Sequence, residues 1–278
     1  MPQFDTFVEQ IIESIRRIRY VDVIQRRPIS NARTDPHTTL FDPIKAAVLF
    51  RRTGHIEEAF WMLFLFVHFG KHRNGGWRYI RDVYGRLGGT GYWTWQNVSA
   101  DPSAFRAWLA QHQAQIRRTP PPGGFGNHRK YQSLDAYSSN GTGAAVESYA
   151  RWVAPPRTHQ ELFQEAYQQA GGQRRSAFRL LYNSMKAVTT FGRTARFDYL
   201  TMVAKVGLAP IEADSAYIQG STGPIQGAKL LFGSNITRKD SERVLIQLGD
   251  YLQVDMQVIE DALCNWQKSP HTFRPFRG

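Results

Sequence analysis

The chain is short of cysteine, of acidic residues and of long apolar runs. A single cysteine, Cys264, among 278 residues excludes an intramolecular disulfide framework and any zinc site built from several thiolates. Asp and Glu number 23 against 35 Lys and Arg, a formal charge of +12 at pH 7. That sign favours polyanionic partners, because cationic side chains release counterions from phosphates, although a solvated basic surface satisfies it equally. The longest apolar run, "AFWMLFLFVHF" at 59–69, falls short of the roughly 20 residues a bilayer span needs and reads as a buried core helix. The N-terminus, "MPQFDTFVEQIIESIRRIRY", carries acids and helical amphipathicity in place of a signal-peptide core. A soluble, cytoplasmic protein with no membrane partner and no obligatory protein partner is therefore expected. Sustained strand-type alternation, internal repeats, a nucleotide-hydrolase phosphate loop and a dinucleotide fingerprint are all missing. His68 and His72 have metal-like spacing, but Gly70 interrupts them and no third ligand is evident, so neither a metal nor a cofactor is expected.

What is present is helix. Apolar residues recur three or four apart in "PIKAAVLFRR", "HIEEAFWMLFLFVHFG", "WRYIRDVYGRLG" and "DPSAFRAWLAQHQAQIRR", and Asp101-Pro102 has the form of an N-cap followed by proline at the first helical position. Three prolines in "RRTPPPGGFG" (117–126) remove donors and fix φ, so this stretch connects rather than continues a helix. Helices resume at "AAVESYARWV", "THQELFQEAYQQA" and "RRSAFRLLYNSMKAV", and again at "SERVLIQLGDYL" and "MQVIEDALCNWQK". The fold class is mainly α. The expected organisation is an N-terminal helical lobe over 1–118, a Pro/Gly linker at 119–126 and a second lobe over 127–278.

The segment "TTFGRTARFDYLTMVAKVGLAPIEADSAY" (189–217) carries the most chemistry. Ala195, Tyr199, Met202, Val203 and Val206 recur at helical spacing, with Arg196, Asp198, Thr201 and Lys205 on the other side. A helix precedes it and Gly192 sits in the turn, so the pattern is helix, short turn, helix. Glycine lets a backbone approach a phosphate closely, and the N–H groups of the helix start carry the positive end of the dipole. Arg193, Thr194 and Arg196 would add side-chain contacts to phosphate. An ordinary α-hairpin satisfies the same pattern. Beyond a loop comes Asp214, nineteen residues after Ala195, which also reads as an N-cap ahead of "SAYI".

"FGRTARF…APIEADSAY" resembles, in order, the hairpin, helix, loop and catalytic aspartate of helix-hairpin-helix DNA glycosylases. The resemblance implies that Asp214 stabilises oxocarbenium-like charge on a deoxyribose held by the hairpin. Relatives that also cut the strand carry a hairpin lysine, whereas this chain has Arg193 and Thr194 there and no lysine until Lys205. A guanidinium is a poor nucleophile, so the implied reaction is hydrolysis to an abasic site.

Longer segments are similar to a narrower family. "FGKHRNGGWRYIRDVYGRLGG", "YWTWQNVSADPSAFRAWL", "FGNHRKYQSL", "NGTGAAVESYARWV", "TGPIQGAKLLFG" and "MQVIEDALCNWQKSP" resemble the alpha-glutamyl/putrescinyl thymine pyrophosphorylases of clade three. These belong to a DNA-glycosylase-like superfamily linked to hypermodified phage bases. The resemblance covers most of the chain from about Ala46 onward and implies a two-lobed helix-hairpin-helix fold with modified phage DNA as partner. Two activities follow from it: excision of a bulky modified pyrimidine, such as a glucosylated hydroxymethyl one, in antiviral defence, or replacement of pyrophosphate on a hydroxymethyl pyrimidine by an amine. A non-enzymatic binder of modified DNA is a third class.

Beside the resemblance, further residues have readable chemistry. His128, Arg129 and Lys130 lie between aromatics in "FGNHRKY", which suits phosphates and stacked bases but equally a basic surface loop. Asp135, Tyr137 and Asn140 in "SLDAYSSNGTG", with Tyr217, can line a pocket for a flipped base, as a capped turn would also require of the first three. In "TGPIQGAK", Gly223 and Lys229 are candidates for a second phosphate contact, with Pro224 starting a helix. Glu260, Cys264 and Lys268 are spaced for one helical face, with Glu260 a second candidate catalytic carboxylate. Surface charges around a small core cysteine would read the same way.

Overall fold

The structure, a computed structural model, describes residues 2–275. It is mainly α: among the described residues there is no strand, only isolated bridges joining His72 to Gly76 and Ser133 to Gly141. Before the proline-rich stretch come α1 (Pro2–Ile18), α2 (Tyr20–Arg26), α3 (Pro43–Arg52), α4 (Ile56–Phe69), α5 (Arg78–Tyr84), α6 (Trp95–Ala100) and α7 (Pro102–Arg118). After it come α8 (Thr142–Val153), α9 (His159–Gln169), α10 (Arg174–Ser184), α11 (Arg193–Val206), α12 (Gly223–Phe232), α13 (Arg238–Leu252) and α14 (Met256–Trp266). No helix among the described residues is long and apolar enough to cross a membrane.

The boundaries follow from local chemistry. Asp42 caps α3 by accepting from the backbone N–H groups of Ile44 and Lys45, and Asp101 caps α7 by accepting from Ala104 N–H, each just ahead of a proline at the helix start. Thr158 and Glu161 close a reciprocal capping box on α9. Gly207, at φ +77°, ends α11 in a left-handed turn.

The expected core helix is α4, and it is buried on nearly every side. Phe60, Trp61 and Phe64 have no exposed surface, and each such side chain contributes roughly 1.5–3 kcal/mol by its burial. The first-turn acids of α4 reach its neighbours. Glu58 accepts from the Tyr84 hydroxyl and from Trp95 N–H. Glu57 accepts from the His159 Nδ1 side at 2.6 Å, His159 Nε2 lies 2.6 Å from the Tyr149 hydroxyl, and that hydroxyl lies 2.7 Å from the hydroxyl of Tyr199 on α11. This buried chain joins α4, α9, α8 and α11.

α11 is packed by α4, α10, α2 and α3. Its expected polar side is therefore not a solvent face. Thr201 is buried with its hydroxyl on Phe197 O, and Lys205 is partly buried. The end of α11 is held from earlier in the chain: Gln25 donates to Lys205 O at 2.6 Å and Arg51 to Val206 O at 2.8 Å. α1 packs on α14, where Phe7 meets Trp266 at 4.9 Å and Ser14 and Arg17 both reach Asp261. α12 also packs on α14, at Gly227. A Cβ there would lie 2.7 Å from Leu263 O, so only glycine permits the helix–helix approach.

Candidate functional site

α10 runs into a short 3₁₀ turn at Met185–Ala187, and the chain turns at 188–192 before α11 begins. The helix, turn and helix read from the sequence are thus present. Gly192 is the N-cap, it is exposed, and no side chain caps the helix start. A Cβ at Gly192 would meet nothing within 4 Å, so packing inside the protein does not demand glycine there. The first N–H groups of α11 have no capping side chain, and the positive dipole end lies behind them. Thr190 departs from what the sequence suggested. It is β-branched yet sits at φ +68°, and its buried Oγ1 has no hydrogen-bond partner among the described residues. Strain of this kind, of order 1–3 kcal/mol, persists only where surrounding structure enforces it. Thr190, Gly192 and Thr194 line an open cleft of about 390 Å³, closed opposite by His128, Gln132 and Ser221.

Beside the cleft, and sharing His128, Arg193 and Thr194 with it, lies a cavity of about 440 Å³ between α11 and α14. Arg193 does not project freely. Its Nη2 donates to Glu260 Oε1 at 3.0 Å and to Thr194 Oγ1 at 3.2 Å, and its Nη1 to Tyr217 O at 3.4 Å. Burial pushes the Glu260 carboxyl up to about 7, with Asp198 and Asp261 acting in the same direction and Arg193 against it. A carboxyl so placed is half protonated at neutral pH and can either donate or accept a proton. Ile18, Val21, Ile44, Phe66 and Met202 form the apolar wall. Cys264 also lines the cavity, its thiol pushed up by burial. Lys268 does not share that face, because α14 stops at Trp266 and the Lys268 ammonium instead donates to Asn265.

Asp214 lies in the loop after α11, buried, and is not a helix N-cap. Its Oδ2 accepts from Arg179 Nε at 2.7 Å and its Oδ1 from the Tyr217 hydroxyl at 2.6 Å. Tyr217 therefore joins the acid to the hairpin, with its hydroxyl on Asp214 and its carbonyl on Arg193. It holds that position at φ +51°, its ring stacked 3.7 Å from Tyr182, and burial together with Asp214 raises its phenol strongly. Asp214 lines neither the cleft nor the cavity.

The remaining expected residues divide. Arg129 is buried, donating to Asp198 at 2.7 Å and to Val67 O at 2.6 Å, and so braces α11 against α4. Arg196 donates to Tyr182 O and lies 4.2 Å over the Tyr182 ring. Lys130 is exposed, its ammonium 5.1 Å from the ring of Tyr131, which is itself exposed. Gly223 starts α12 against Cys264, and Lys229 is in the last turn of that helix. Asp135 accepts from the N–H groups of Tyr137 and Ser138, which hold its carboxyl below the ordinary range. Tyr137 is exposed beneath Arg106, and Asn140 is exposed. These three line neither cavity, so the structure does not bring them to the hairpin. Sequence reasoning missed Arg179 and Thr190 and misplaced Lys205. A β-branched pair ahead of Phe-Gly was the one available signal, for Thr190. Arg179 meets its acid only through tertiary contact.

Fold and site together define an all-helical protein with a basic excess, an uncapped helix start at a hairpin, and an adjacent cavity holding a carboxyl raised to about 7. The family model for alpha-glutamyl/putrescinyl thymine pyrophosphorylase clade 3 matches residues 2–278, and the chain belongs to that family. No curated protein and no solved structure matches it.

Proposed function

We propose that the protein is a DNA glycosylase that flips a modified pyrimidine out of phage DNA and hydrolyses its N-glycosidic bond in antiviral defence. The observation that carries the reading is the shared residue set: the hairpin that offers free N–H groups to a phosphate also supplies Arg193 to the cavity that holds Glu260. A base entering that cavity leaves its backbone at the cleft. Glu260 in its neutral form donates a proton to the departing base, Asp214 supplies negative charge opposite the oxocarbenium-like sugar, and water adds at the sugar C1′ and returns a proton to the Glu260 carboxylate. Arg179, whose side chain is 60% exposed, covers Asp214 in the free protein and is placed to transfer to a DNA phosphate. The setting we assign is the cytoplasm, and the two-lobed division at 119–126 belongs to the same reading.

The rival is transfer of an amine onto a pyrophosphorylated hydroxymethyl pyrimidine, favoured by the family's own description. The products differ. Hydrolysis leaves an intact strand that breaks only after alkali, and borohydride traps no protein–DNA adduct because no imine forms. Transfer releases pyrophosphate and leaves the strand resistant to alkali. End-labelled duplexes carrying several modified pyrimidines, run before and after alkali, decide between them. Alkali resistance on every substrate, with pyrophosphate release, overturns the glycosylase assignment.

A further inference from the structure

The outer face of α1 is apolar where a surface helix is ordinarily polar. Its inner face, with Phe7, Ile11 and Ser14 buried, packs on α14. On the outer side Phe4, Val8 and Ile12 follow one another at intervals of four and are 51%, 56% and 44% exposed. Apolar residues scattered singly over a surface are ordinary, but a row at helical spacing is an uncovered face. None of the three lines the cleft or the cavity, so the handling of DNA at the hairpin does not account for them.

Charge decides what can cover this face. From Pro2 to Ile15 the chain carries Asp5, Glu9 and Glu13 and no Lys or Arg, whereas Arg16, Arg17 and Arg19 follow directly. The acidic part repels both nucleic-acid phosphates and an anionic bilayer surface. Asp5 and Arg16 are exposed, and neither forms an ion pair with another described residue. They stand about three helical turns apart, on the same flank of the apolar row. A face that is acidic at one end and basic at the other is complementary to its own reversed copy.

We propose that α1 is the interface of a homodimer, in which the outer faces of two α1 helices pack antiparallel about a twofold axis. A register that sets Val8 opposite Ile12 of the second copy places Phe4 against the Arg16 stem and guanidinium. The same register brings Asp5 within one residue of that arginine, and the symmetry repeats each contact. The parallel arrangement would set acid on acid and arginine on arginine. A single helix pair is a small interface, so the dimer should be weak, with a dissociation constant of about 1–100 μM.

Sedimentation velocity on the full-length protein, over a concentration range spanning that interval, tests the proposal. Near-physiological salt screens the long-range repulsion between two chains of formal charge +12. The wild-type protein should pass from monomer to dimer. Val8→Glu, at an exposed position, should weaken association by at least about ten-fold, as expected for a charge placed at the centre of a small apolar contact. Asp5→Arg and Arg16→Asp should each weaken it too. An equimolar mixture of those two variants should associate again, because one copy is then basic at both positions and the other acidic. Thermal melts confirm that each variant is folded. A wild-type protein that stays monomeric throughout the range overturns the proposal, as does a dimer that folded Val8→Glu leaves intact. Charge reversals without effect on the dimer overturn it as well, since a parallel pair would keep like charge on like.

Discussion

The Tyr217 hydroxyl donates to Asp214 Oδ1 at 2.6 Å while the carbonyl of the same residue accepts from Arg193. One residue, held in a left-handed conformation, thereby couples a buried carboxylate to the helix start at the hairpin. Asp214→Asn keeps the shape and loses the charge. We expect base release to fall by at least about 100-fold, the scale of losing a preorganised electrostatic contact, with duplex affinity within a few-fold. Tyr217→Phe should reduce the rate by less and lower stability by about 1 kcal/mol. Single-turnover kinetics and thermal melts measure both. Normal turnover by folded Asp214→Asn would remove Asp214 from the mechanism.

Glu260 sets a pH dependence of stability. Its folded pKa of about 7 lies above the ordinary 4.5, so the folded protein holds a proton that the unfolded chain has already lost. Stability should therefore decline as pH rises from about 4.5 to about 7 and level off above, by at most about 3 kcal/mol. Glu260→Gln should flatten this profile in melts taken across that window. A decline of equal size in the variant would assign it to another group. Base release should fall through the same upper limit, because the donor form of Glu260 is being lost.

Salt dependence distinguishes free cations from paired ones. Lys130 is exposed and has no carboxylate partner among the described residues, whereas Arg193 is held by Glu260. Lys130→Ala should lower the log–log salt slope of duplex binding by about one unit, and Arg193→Ala should leave it nearly unchanged. The opposite pattern would mean that the Arg193–Glu260 pair opens when DNA binds.

Two glycines should separate packing from binding. Gly227→Ala forces a Cβ to 2.7 Å from Leu263 O, and should cost about 1–3 kcal/mol by parting α12 from α14. At Gly192 a Cβ meets open space. Gly192→Ala should cost about 1 kcal/mol or less in stability while weakening duplex binding, since the methyl group would stand where a phosphate approaches. Melting curves and anisotropy titrations on both variants check this. Unaltered binding by Gly192→Ala would place the backbone contact elsewhere.

Much of the fold was legible because its causes are local. The periodicity of 43–52, 56–69 and 102–118, the Asp101-Pro102 start and the proline stretch after Arg118 each depend on residues within a turn of one another. The helix, turn and helix of α10 and α11 were legible for the same reason. Tertiary structure decided what those residues experience. Nothing in the sequence around Asp214 indicates Arg179, thirty-five positions earlier, as its partner. The same periodicity placed Lys205 on a polar side of α11, but α2 and α3 pack on that helix and leave the side chain partly buried. The raised carboxyl of Glu260 and the lowered ammonium of Lys205 are effects of desolvation. Desolvation depends on which distant elements exclude water, and spacing along a helix carries no information about that.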